Sequence, residues 1–87
     1  MNTTKAISQR QKCHFEVEHN GITYKLGELI PGQAMKKAHH MVRNYLMNQW
    51  RETRRNVETT ALVMADGVQV GSVYGFHRDR DIRIIHQ

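Results

Sequence analysis

Only one stretch of this chain carries a helical period, and it is long enough to dictate the architecture of the rest. Between about residues 32 and 54, at roughly 100° per residue, Ala34, Ala38, Met41, Val42, Tyr45, Leu46 and Trp50 fall within one half of the helical circumference. Pro31 suits the first turn, where a missing N–H removes no helical hydrogen bond. A helix with such a stripe must lay it on another apolar layer. With no second helical segment in the 87 residues, that layer has to be a sheet.

The flanking sequence supplies one. Cys13, Phe15 and Val17 alternate with His14, Glu16 and Glu18, as a half-buried strand requires. Asn20-Gly21 provides the positive φ angles of a tight hairpin turn, and Ile22, Tyr24 and Leu26 resume the alternation until Gly27 ends the strand. Beyond Asn56, Thr59–Met64 and Val68–Phe76 read as a second hairpin around Asp66-Gly67. A last strand, about Asp81–His86, follows the charged turn Arg78-Asp79-Arg80. The expected fold is therefore α+β in two layers: one long amphipathic helix on an antiparallel sheet of about five strands, in the order β-β-α-β-β-β. Residues 13–87 form a single domain in this reading. Residues 1–12, polar and carrying Lys5, Arg10 and Lys12, form a mobile basic arm.

Charge is unevenly spread. The net charge is +5, yet residues 1–55 hold ten bases and four acids while residues 56–87 hold three and four. The excess concentrates on the helix face opposite the stripe, which collects Lys36, Lys37, His40, Arg43, Arg51, Arg54 and Arg55 with Asn44 and Asn48; Glu52 projects elsewhere. Like charges four residues apart destabilise a helix slightly, and solvated helices usually relieve this with Glu. An acid-free face therefore favours an anionic partner, and closely spaced cations on a rigid rod suit a phosphate backbone.

Other constellations are weaker. Val68, Val70, Tyr74 and Phe76 read as one apolar face that belongs beneath the helix, with Gly71 and Gly75 outside; the competing arrangement exposes both aromatics to stack on bases. Six histidines lack the spacing of a zinc site, since adjacent His39 and His40 diverge by about 100°, so neither metal nor cofactor is expected. Exposed histidines instead imply a surface that gains positive charge on acidification. Cys13 and His14 point to opposite faces of a strand, and the chain has no phosphate-binding glycine loop and no nucleophile elbow; no enzyme is expected. Trp50, at the margin of the stripe, and Met47, on the polar half, have the composition of protein-contact anchors, although Trp50 also suits the end of the core.

A single cysteine, no apolar leader and no run of about 18 apolar residues together point to the cytoplasm, with no membrane partner. Two functions fit. The chain is a small non-catalytic protein that binds DNA or RNA through its helix face and arm with little sequence preference. Alternatively, it is an adaptor or inhibitor that docks the same cations on an acidic surface of a larger protein, as small accessory proteins of bacteria and their viruses do. A homodimer with the helix at its seam is a further arrangement.

Overall fold

The computed structural model describes residues 10–87. The expected N-terminal arm lies for the most part outside the described residues. Within them, strands β1 (Cys13–His19) and β2 (Ile22–Leu29) precede helix α1 (Pro31–Thr53), and strands β3 (Val57–Ala65), β4 (Val68–Arg78) and β5 (Asp81–His86) follow it. All pairings are antiparallel, and the sheet runs β2-β1-β3-β4-β5. The helix packs chiefly across β3 and β4 and leaves the other side of the sheet bare among the described residues. This is the two-layer α+β fold that the hydrophobic pattern implies.

The turns follow their chemistry. Asn20-Gly21 and Asp66-Gly67 both take positive φ at the two central positions, as two-residue hairpin loops demand. The β4–β5 turn adopts the same conformation with Asp79 (φ 51°) and Arg80 (φ 69°), where no glycine relieves the steric cost. Three boundaries depart from the sequence reading: β3 begins at Val57, β4 runs on to Arg78, and β2 passes Gly27. Gly27 does not end β2: at φ 83° it sits at a register shift opposite Phe15, where Leu26 is the extra residue and packs against the core, and the strand continues to Leu29.

The larger departure concerns β4. Register fixes its faces, because Val73 lies opposite buried Ala61 and Gly75 opposite buried Thr59. Gly71, Val73, Gly75 and His77 therefore face the helix, and Tyr74 and Phe76 point to the bare side, the reverse of the expectation. A bulge is one cause. Met64 pairs with Gln69 and Val63 with Gly71, leaving Val70 as an extra residue that shifts the alternation, so that Val70 packs on the core with the residues after it. Close packing is the other. A Cβ at Gly75 would lie 2.5 Å from Val42 Cγ1 and 2.9 Å from Leu46 Cδ1, so no side chain fits there without moving the helix.

The core lies between the layers. Ala34, Ala38, Val42 and Leu46 on α1 are fully buried against Phe15, Val17, Ala61, Val63 and Val73. Small residues at 34 and 38 let the helix approach the sheet closely. Cys13 is a buried, unpaired thiol in this core.

Candidate functional surface

The outward face of α1 carries a row of cations. Over 23 residues the helix extends about 35 Å, and Lys36, Lys37, His40, Arg43 and Arg51 along it are all exposed. Arg54 is its C-cap and Arg55 lies in the bend beyond, so both extend the face past the last turn. Among the described residues Arg83 and Asp81 form an ion pair and His14 Nε2 lies 3.4 Å from Glu28 Oε1, and neither contact involves a helix cation. The positive face is thus not neutralised by its own sheet.

Local structure holds this face in place. At the N-terminus the Gln33 side chain accepts a hydrogen bond from the Ile30 N–H at 3.3 Å, and no acid occupies the first turn to offset the positive end of the helix dipole. Leu29, Gln33, Lys36, Lys37 and His40 line a shallow depression of about 340 Å³ there. At the C-terminus Arg54 closes the helix in a left-handed conformation (φ 57°), its N–H donating to the Trp50 carbonyl at 2.9 Å. Glycine is the usual occupant of such a position, so the cation is kept at some conformational cost.

Three histidines tie the flanks of α1 to the sheet. On the β1 side, His19 meets the edge of Tyr45 at 5.2 Å, and its Nε2 lies 2.8 Å from Thr59 Oγ1. The Thr59 hydroxyl donates to Asn20 Oδ1 at 3.4 Å, which leaves Thr59 Oγ1 to accept the His19 Nε2–H. Burial pushes the His19 pKa down, in keeping with a neutral ring. On the β4 side, His77 stacks on Trp50 with centroids 4.3 Å apart. On the β5 side, His39 Nδ1 lies 2.8 Å from His86 Nε2, a contact that the linear spacing of histidines did not suggest. Desolvation first, and then the nearby His86, His40 and Arg43, hold the His39 pKa below its ordinary value. Among the described residues no three His, Cys, Asp or Glu side chains gather as metal ligands.

The two candidate anchors part company. Trp50 is half-buried, with one ring face on His77 and the Arg54 guanidinium 5.9 Å from its centroid, so it closes the end of the core. Met47 is 38% exposed in the middle of the cationic face, where it is available to a partner.

The bare side of the sheet carries the arrangement that sequence reasoning ranked second, with both aromatics outside the core. There the Tyr74 and Phe76 rings lie 5.9 Å apart; the Tyr74 hydroxyl donates to Glu58 Oε2 at 2.8 Å, and the Arg78 guanidinium sits 5.3 Å from the Phe76 ring centroid. The hydrogen bond to Glu58 raises the Tyr74 pKa above its ordinary value. Phe76, Arg78, Asp81, Arg83 and Ile85 help to line an open hollow of about 760 Å³. The signal that could have revealed this was the pair Gly71 and Gly75 flanking Val73, a run of small side chains matched to a closely packed helix. No helix among the described residues is long and apolar enough to cross a membrane. No protein-family model, curated protein or solved structure matches the chain.

Proposed function

We propose that this chain is a small non-catalytic binding protein whose helix face engages the phosphate backbone of DNA or RNA with little sequence preference. The observation that carries the reading is the row Lys36, Lys37, Arg43, Arg51, Arg54 and Arg55, exposed along one rigid helix without an ion-pair partner among the described residues. A length of about 35 Å is close to one turn of duplex, so several phosphates lie within reach of one helix. Point charges neutralise phosphates and release counterions but carry no base readout, which makes the binding sequence-tolerant and salt-sensitive. A binding role rather than catalysis also suits Cys13, whose thiol is buried while His14 points to the opposite face.

The test is a titration of the full chain against short single- and double-stranded DNA and RNA at two salt concentrations. Binding should weaken on a log–log plot by about 0.7 to 0.9 per neutralised phosphate, and replacing Arg51, Arg54 and Arg55 together by Gln should lower the slope by roughly 2 to 3. Absence of binding at low salt would overturn the reading. Exposed Met47 at the centre of the cations favours the second reading, an acidic protein surface with an apolar spot, and in that case Met47→Ala weakens partner binding while leaving the fold intact.

A further inference from the structure

The bare side of the sheet is built for contact of a different kind. Leu62 and Met64 on β3, Tyr74 and Phe76 on β4 and Ile85 on β5 share it, as the register shows, and Ile85 is 47% exposed. An apolar patch of this kind, rimmed by charges, marks an association surface. Its charges do not suit a polyanion: Glu16, Glu18, Glu28, Glu58 and Asp81 outnumber Lys25, Arg78 and Arg83 on the same side. Several of these charges are already satisfied within the chain, since Glu58 accepts from Tyr74 and Asp81 pairs with Arg83 at 2.8 Å. Among the described residues, the charges on this side left without an ion pair are Glu16 and Glu18, with Lys25 beside them on β2, and Arg78 toward the far corner on β4.

This layout is self-complementary, and we propose that a second copy of this chain docks on it face to face. A two-fold axis passing by Thr60 and Tyr74, midway between the corners, brings Glu18 of one copy opposite Arg78 of the other and repeats the contact in reverse. It also stacks the apolar centres, as two sheets packed about 10 Å apart do. Five strands span about 19 Å across, and with strand lengths near 25 Å each copy contributes a footprint of roughly 500 Å². The total, roughly 1,000 Å², reaches the lower edge of specific interfaces. Both helices then face outward on opposite sides of the dimer. Taken with the proposed function, on which this one consequence rests, the dimer would hold two nucleic-acid segments at once.

The experiment is sedimentation velocity of the full chain across roughly 1 to 200 µM, without nucleic acid. The wild type should pass from monomer to dimer within that range. Phe76→Asp and Ile85→Asp should each give a monomer whose far-UV circular dichroism matches the wild type; Ile85 lies on an edge strand, so its variant keeps the test valid if Phe76→Asp misfolds. Glu18→Arg and Arg78→Glu should each weaken the dimer about tenfold or more, and the two together should restore it. A wild type that stays monomeric overturns the proposal, as does a dimer indifferent to both aspartates or a double charge swap that rescues nothing. Because no nucleic acid is present, a dimer that fails to bind DNA or RNA would remove only the proposed function.

Discussion

The two faces of the same five strands obey different rules. On the covered face β4 presents Gly71, Val73, Gly75 and His77 to a helix that itself presents Ala34, Ala38, Val42 and Leu46. On the bare face the same strand presents Ser72 and its three largest side chains, Tyr74, Phe76 and Arg78. Burial here follows the space left by a closely packed helix rather than the apolarity of each residue. Large apolar side chains that do not fit beneath the helix occupy the side where another molecule can cover them.

Two phenylalanines give the most direct way to break this contrast. Phe15 is 1% exposed on the covered face, and Phe15→Ala should destabilise the fold by about 3 to 5 kcal/mol. Phe76→Ala, measured at a concentration where the chain is monomeric, should cost less, about 1 to 2 kcal/mol, because the ring is half-buried rather than enclosed. Urea denaturation of both variants decides the matter, and equal losses would mean that the bare face is as much a core as the covered one. Next in size is Gly75→Ala. Its methyl group meets Val42 and Leu46, and overpacking of this kind should cost about 1 to 3 kcal/mol, whereas the methyl of Gly71→Ala meets the backbone oxygen of Gln87 and the Met35 sulfur no closer than 3.3 Å and should cost less.

The helix end sharpens the contrast between stability and binding. Arg54→Gly relieves a left-handed residue and should raise stability by up to about 1 kcal/mol in a thermal melt, while removing one cation from the helix face and weakening phosphate binding. A variant that is both more stable and equally tight would take Arg54 out of the binding surface. The smallest expected effect is a pH dependence. His19 and His39 are both held below the usual imidazole value, so on acidification the unfolded chain takes up protons that the folded chain does not. Stability is therefore fully present above a pH of about 6.5 and falls as the pH drops below it. The urea midpoint should be lower at a pH of about 5.5 than at about 7.5, and His39→Asn should flatten the difference.

Much of this architecture was legible in the sequence because two signals are local. Asn20-Gly21 and Asp66-Gly67 fix hairpins through their own backbone preferences, and the 3.6-residue stripe from Ala34 to Trp50 fixes the helix and its buried side. The cationic face follows from the same period, and Lys36, Lys37, His40, Arg43, Arg51, Arg54 and Arg55 are all exposed as expected. What local pattern could not show was the effect of one layer on the other. The bulge at Val70 reverses the alternation that put Tyr74 and Phe76 in the core. It was the closeness of α1, carried by Ala34 and Ala38, that made glycine the residue for the inside. The His39–His86 contact joins residues 47 positions apart, a distance over which linear spacing carries no information.

The position of β1 in the sheet bears on how the chain reaches this state. It adds to β3 only after the intervening hairpin and helix, pairing Val17 with Val63, whereas β3, β4 and β5 form a meander of neighbours. Local pairings close faster than distant ones, so the expected order is the meander with α1 first and the docking of the β1–β2 hairpin last. Until it does, β3 is an open edge, and the hairpin of a neighbouring chain fits that edge as well as the chain's own. Refolding at high concentration is thus the condition under which strand exchange competes with correct closure.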